Sequence, residues 1–232
     1  MRIVTCEHAA NKVPGVYKHL FKSNQAILKT HQAYDAGALE LARGLAGQLN
    51  ASFFLYSNTR LLIDVNRSLG HPRLFSCFTN LLDINQKNQL IEHYYKAYRR
   101  PVENIINAAV KKNQQVLHVS VHSFTPLLTG KQRNADIGLL YNPARQAEVD
   151  LSNILKKKIQ AVAKGFKVRC NYPYQGKSDS LVSFVRNYLP PAAYLGIELE
   201  INQKILGNFK QWRCLKAILG KVFSETAESY DV

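Results

Sequence analysis

His118, Ser120 and His122 recur at every second position in the stretch Val116 to Leu128, VLHVSVHSFTPLL. On an extended strand these three face one way, while Leu117, Val119 and Val121 face the other. His122 stands where this strand is expected to stop, before Ser123 and the turn residues Thr125-Pro126. In α/β proteins the loops at strand ends open into ligand sites. A histidine there can hold a metal, move a proton or only satisfy a hydrogen bond. Other groups of similar chemistry fall at comparable places. His8 follows the expected strand Arg2 to Cys6, and Asn66-Arg67 follow the apolar run Leu61 to Val65. Glu198 and Glu200 share one face of AYLGIELEIN, with Ile197, Leu199 and Ile201 on the other. Two acids in an apolar run are costly to bury without a purpose or a partner.

Together, two histidines, a pair of carboxylates and nearby arginines point to metal-assisted hydrolysis. Zinc takes about three protein ligands and leaves a position for water. The ion lowers the pKa of that water, and a neighbouring carboxylate accepts its proton. Arginine suits a substrate carboxylate because its planar fork bonds both oxygens.

The elements that must position these groups alternate between strand and helix. Strands are expected at Arg2–Cys6, Ser52–Tyr56, Leu61–Val65, Val116–His122, Ile137–Tyr141, Phe166–Cys170 and Tyr194–Ile201. Helices are expected at Asp35–Leu49, Ile84–Gln114 with a break or kink at Pro101, Gln146–Ala163, Leu181–Tyr188 and Phe209–Ala227. This alternation predicts one layered α/β domain over residues 1–232, with a mixed, mostly parallel sheet flanked by helices. The stripe Leu90, Ile91, Tyr94, Tyr95 and Tyr98 reads as a buried helix face.

The chain of 232 residues carries a net charge of +15. A basic surface can bind nucleic acid, and a basic pocket can draw in a small anion. Seven Lys/Arg residues and no acid lie between Leu151 and Ser178, including Lys156-Lys157-Lys158. This run reads as a solvated helix face, and no RNA-binding aromatic signature or zinc-finger spacing accompanies it. No apolar run is long enough to span a membrane, and the N-terminus has no signal-peptide pattern. Cys6, Cys77, Cys170 and Cys214 are widely spaced without a CxxC pair, which fits reduced thiols in the cytoplasm.

Six segments in order resemble the successive motifs of the N-formylglutamate amidohydrolase family. They are Cys6-Glu7-His8-Ala9-Ala10-Asn11-x-Val13-Pro14, His31-x-Ala33-x-Asp35-x-Gly37-Ala38, Asp64-Val65-Asn66-Arg67, Val121-His122-Ser123-Phe124-x-Pro126, Asn171-x-Pro173-Tyr174 and Leu199-Glu200-Ile201. The resemblance implies a fold like that of zinc carboxypeptidases and aspartoacylase-like deacylases. It implies one zinc ion held by His8 and His122, with Glu200 as general base and Glu198 as the alternative. Asn66 and Arg67 would bind a substrate carboxylate, with Arg60, Tyr174 and Arg186 as further substrate contacts. Carboxypeptidases carry a Glu three residues after the first zinc histidine, where this chain has Asn11, a poor zinc ligand. The third ligand is then Asp35, or Glu7 if the strand bends, with position 11 the remaining candidate. The implied reaction is hydrolysis of an N-formyl or N-acyl amino acid, most simply N-formylglutamate to glutamate and formate. Its partner would be a small anionic substrate, not a membrane or nucleic acid. Two alternatives stand beside it: a zinc peptidase acting on short or cell-wall peptides, and a basic binding module whose metal site has decayed.

Overall fold

Fourteen named elements account for the regular structure of the computed structural model, which describes residues 1–230. Strand β1 (Arg2–Cys6) is followed, after two short 3-10 turns, by helix α1 (Ala38–Leu49) and β2 (Ser52–Leu55). Helix α2 (Ile84–Leu90) runs through a π-helical turn at Ile91–Lys96 into α3 (Ala97–Lys111). Then come β3 (Val116–Phe124), a small hairpin of β4 (Leu127–Leu128) and β5 (Lys131–Gln132), and β6 (Ile137–Leu140). The chain ends with α4 (Gln146–Val162), β7 (Val168–Cys170), α5 (Leu181–Arg186), β8 (Tyr194–Asn202) and α6 (Phe209–Ser229).

Six strands form one sheet in the order β2-β1-β3-β8-β6-β7. Strands β2, β1, β3 and β8 are parallel, and β6 runs antiparallel to β8 with β7 parallel to β6. The central strands β3 and β8 are buried over their whole length. On one face Val4, Val119, Val121, Leu139, Ile197 and Leu199 pack against Leu41 and Leu45 of α1, Leu151 and Leu155 of α4, and Leu215 and Leu219 of α6. On the other face Ile3, Val116 and Tyr194 meet Val102 and Ile106 of α3 and Val182 and Val185 of α5. Removing each such leucine or isoleucine from water contributes about 2 kcal/mol, which holds three layers together. Alternation places the apolar residues of β3 toward the α1/α4/α6 layer, and this leaves His118, Ser120 and His122 on the opposite face.

Several boundaries differ from the sequence expectation. Leu61–Val65 is not a strand: it is a buried turn whose Asp64 amide donates to the Leu74 carbonyl at 2.9 Å. Its apolar side chains fill the core without a neighbouring strand, which periodicity alone does not distinguish. β3 continues through His122 to Phe124 because β8 offers it partners as far as Asn202. Asp35 lies ahead of α1, and Gly37 takes a left-handed φ of 79° at the helix entry. The chain passes through Pro101 in helical conformation, and the irregularity sits earlier, in the π-helical turn. Lys156 to Lys158 lie on α4, where Leu151, Leu155 and Ile159 form the buried side. No helix among the described residues is long and apolar enough to cross a membrane.

Candidate active site

The C-terminal ends of β1, β3 and β8 lie along one edge of the sheet, and the polar residues collect there on the face toward α3 and α5. Register decides who meets whom. His122 on β3 stands opposite Glu200 on β8, Ser120 opposite Glu198, and Thr5 on β1 opposite Ser120. On the far side of Glu200 is Gly138 of β6. A Cβ at Gly138 would lie 2.1 Å from the Tyr172 carbonyl oxygen and 3.1 Å from the Glu200 Cβ, so only glycine fits this close approach.

His8 belongs to the turn that follows β1, and this turn brings it onto the side where Glu7 already lies. Strict alternation would have separated the two. The His8 and His122 rings are 5.0 Å apart. Between them is Asp35, whose Oδ2 is 2.9 Å from Nδ1 of His122 and 3.4 Å from Nδ1 of His8. The outer nitrogens have their own carboxylates. Nε2 of His8 donates to Asp64 Oδ1 at 2.8 Å. Nε2 of His122 is 2.9 Å from Ser120 Oγ and 3.3 Å from Glu7 Oε2, and Ser120 donates to that same Glu7 oxygen at 2.7 Å. Both imidazoles therefore point Nδ1 inward at Asp35 with Nε2 anchored from outside.

His8, Asp35 and His122 each offer one ligand atom, all within 4.8 Å of one another. Two imidazoles and a carboxylate are a zinc-type donor set, and a carboxylate behind each histidine fixes its tautomer as metal-ligating histidines require. These residues fit a divalent ion. Arg60 touches Asp35 Oδ1 and His8 Nδ1, so the cluster already faces one positive charge. Asn11 is turned away, its Nδ2 donating to the Leu28 carbonyl at 2.7 Å. Glu7 faces the outer nitrogen of His122 and stands behind the ligand set.

The charges of this cluster are strongly coupled. Burial pushes the Asp35 carboxyl up, but the charges of Arg60 and His8 and hydrogen bonds from both histidines outweigh it and hold Asp35 well below the usual carboxylate range. Burial opposes ionisation of Glu7 too, yet the hydrogen bond and charge of His122 hold it at about 2. His122 is disfavoured as a cation by burial, but Asp35 and Glu7 raise it well above an ordinary imidazole. Four residues back on β3, His118 is lowered to about 4 by burial, between Thr5 Oγ1 at 2.8 Å and the Tyr194 hydroxyl at 2.6 Å.

A cavity of about 240 Å³ opens over the cluster. His8, Asp35, Arg60, Asn66, Arg67, His122, Tyr174, Glu198 and Glu200, all expected from the sequence, line it. Glu198 accepts from Ser180 Oγ at 3.1 Å, and burial raises its pKa. Glu200 is pushed to about 8 by burial, with Asp35 and Glu198 adding to the rise and His122 opposing it. Its Oε2 is buried, with no hydrogen-bond partner among the described residues. Asn66 accepts the Leu181 amide at 2.8 Å, which ties the Asn66-Arg67 turn to α5. From behind, the Arg67 carbonyl accepts from the Tyr95 hydroxyl at 2.7 Å and from Arg99 Nη1 at 3.2 Å. Arg67 itself donates to the Asp179 carbonyl and lies 3.8 Å from Asp64 Oδ2.

Arg186, expected as a substrate contact, does not line the cavity. It is buried between α5 and the sheet, donating to Glu148 at 3.0 Å and to the Gly196 carbonyl at 2.6 Å. With Arg145, 3.3 Å from the same Glu148 oxygen, it balances that buried acid. Other lining residues, among them Arg73, Gln175 and Asp179, were not singled out from the sequence. They sit in turns, where neither periodicity nor spacing marks a role. His31 also lines the cavity, and only the motif His31-x-Ala33-x-Asp35 had drawn attention to it.

Two solved structures resemble the chain over nearly its full length. A gene product of Agrobacterium tumefaciens is 24% identical with a TM-score of 0.84, covering 100% of this chain and 92% of that one. The N-formylglutamate amidohydrolase from Ralstonia eutropha is 16% identical with a TM-score of 0.75, covering 98% and 93%. At these identities the likeness speaks for the fold. No curated protein matches the chain in sequence. The family model described as N-formylglutamate amidohydrolase matches residues 2–206, and over that span lie all three prospective metal ligands and both cavity glutamates. The chain belongs to the N-formylglutamate amidohydrolase family.

Proposed function

We propose that this protein hydrolyses the amide of an N-formyl or N-acyl amino acid, N-formylglutamate being the simplest case, with a divalent ion held by His8, Asp35 and His122. The observation that carries this reading is Oε2 of Glu200, which has no hydrogen-bond partner among the described residues and is buried in the same cavity as the His8–Asp35–His122 cluster. Zinc in such a set supplies Lewis-acid chemistry, polarising a carbonyl and acidifying water. Glu200 moves the protons. A positive charge added beside it favours the carboxylate, which makes it a base at neutral pH. It accepts a proton from the attacking water and passes it to the departing amide nitrogen. The carbon–oxygen bond forms, the carbon–nitrogen bond breaks, and for formylglutamate the products are formate and glutamate. Glu198, held by Ser180, is the alternative base. Arg67 and Asn66 would bind the substrate carboxylate nearest the amide, and Arg60 and Tyr174 would contact the remainder.

Metal analysis of the purified protein, paired with a formate-release assay on N-formylglutamate, tests this. Near-stoichiometric zinc with formate release is expected. Protein that stays metal-free after dialysis against zinc and releases no formate would sink the reading. Zinc with cleavage of short peptides alone would reassign the substrate.

A further inference from the structure

We propose that Glu7, acting through Ser120, is the positioning residue that decides which ring nitrogen of His122 faces the metal, an assignment that rests on the metal reading above. Glu7 stands in the turn after β1 and is 0% exposed. Glu148 is buried as deeply, but Arg145 and Arg186 lie 3.3 and 3.0 Å from its Oε1. Among the described residues no lysine or arginine pairs with Glu7, and its one charge partner is His122, whose Nε2 is 3.3 Å from Oε2. The Tyr98 hydroxyl of α3 donates to Glu7 Oε1 at 3.3 Å, and Ser120 of β3 donates to Oε2 at 2.7 Å. A carboxylate buried without a fixed cation is costly, so its place here calls for a partner that is a strong donor. An imidazole bound to a metal through its other nitrogen is such a partner.

The positions of the protons follow from what each group can do. A carboxylate only accepts, and a serine hydroxyl has one proton to give. At 2.7 Å that proton goes to Glu7. The Ser120 oxygen, 2.9 Å from His122 Nε2, is then left to accept, and Nε2 must carry the ring proton. His122 thereby turns its Nδ1 lone pair toward Asp35 and the centre, the form that ligates a metal. Without the acid the order is free to reverse. Ser120 then donates to Nε2, the ring proton sits on Nδ1, and that nitrogen is closed to an ion. His8 is held differently. Its Nε2 meets Asp64 Oδ1, which also accepts the Asn66 amide at 3.0 Å, so Asp64 serves the turn that lines the cavity as well. Neither Glu7 nor Ser120 lines the cavity, and their effect reaches it through His122.

Zinc titration of the full chain against a competing chelator, with Glu7→Gln and Ser120→Ala beside the wild type, reads this without turnover. Glutamine keeps the size of the side chain but brings an amide that can donate to Ser120. Zinc affinity should fall about 10- to 100-fold in Glu7→Gln, the usual range for losing the partner behind a ligand. It should fall by less in Ser120→Ala, where Glu7 still stands 3.3 Å from Nε2. In nitrogen-15 NMR of the zinc-loaded protein, His122 should carry its proton on Nε2 in the wild type, and that resonance should move in Glu7→Gln. Either readout unchanged in Glu7→Gln would overturn the assignment, because an acid that only supports the fold lowers stability without moving that proton. If Glu7→Gln does not fold, Ser120→Ala decides by the same two readouts. A wild type that binds no zinc would bring down the metal reading itself, whereas equal zinc affinity in wild type and variants removes the role of Glu7 alone.

Discussion

The carboxylate of Asp35 lies 2.9 Å from Nδ1 of His122, although 87 residues separate them in the chain. Asp35 comes from the irregular segment before α1 and His122 from the central strand. The same carboxylate reaches Nδ1 of His8, and this single acid therefore joins three parts of the chain. Removing any of the three should dissolve the centre.

His122→Ala should therefore lose bound zinc, since two remaining ligands are too few to hold the ion in a closed geometry. Asn11→Ala should keep it, because Asn11 bonds the Leu28 carbonyl instead. Metal content after gel filtration checks both, and retention of zinc by His122→Ala would place the centre elsewhere.

Glu200→Gln keeps shape and hydrogen bonding but cannot take a proton. It should lower kcat by about 100-fold or more while zinc stays bound. Glu198→Gln should cost less, since Glu198 is already hydrogen-bonded to Ser180. Steady-state kinetics with metal analysis measures this. If Glu198→Gln is the dead variant and Glu200→Gln the active one, the two acids exchange roles; if both remain active, neither is the base.

The raised pKa of Glu200 also predicts a pH dependence of stability in the chelator-treated protein. Folded Glu200 holds its proton up to about 8, whereas an unfolded glutamate releases it near 4.5. Between those values the folded chain binds the extra proton, so this residue's contribution to stability falls as pH rises and levels off above about 8. Glu200→Gln should remove that decline. Urea midpoints at pH 5.5 and 8 for both proteins test it, and parallel changes in the two would show that Glu200 is already ionised at the lower pH.

Arg67→Lys should lower kcat/KM on an acidic substrate roughly tenfold or more, because a fork becomes a point contact and charge-assisted bonds are worth about 1.5–3 kcal/mol each. Kinetics equal to wild type would make Arg67 a structural residue, acting through its contacts with Asp64 and the Asp179 carbonyl.

Replacing Lys156, Lys157 and Lys158 together with Gln should leave catalysis intact and change stability by no more than about 0.5 kcal/mol per site, as for ordinary surface positions. Tight, salt-dependent nucleic-acid binding that vanished in this triple variant would favour a binding role for the α4 face instead.

Much of the layered fold is legible in the chain because it rests on local periodicity. Leu117, Val119 and Val121 alternate with His118, Ser120 and His122, and that alone separates a core face from a polar one on β3. Glu198 and Glu200 are assigned to one face of β8 by the same rule. The resemblance of ordered motifs named the family, which periodicity cannot do. Pairing lay beyond both, because which strands adjoin is a matter of long-range packing. Only the register of β3 against β8 sets Glu200 beside His122 rather than Glu198. Only the turn after β1 carries His8 to Asp35, and only folding shows that Leu61–Val65 is a buried turn and not a strand. Arg133 and Arg186 make the difference plainest. Both are single arginines near turns or short helices, with nothing local to mark them. Tertiary structure gives Arg186 the Glu148 carboxylate and sets Arg133 over the rings of Phe124 and Tyr174, because what a charge meets is decided by folding and not by its neighbours in sequence.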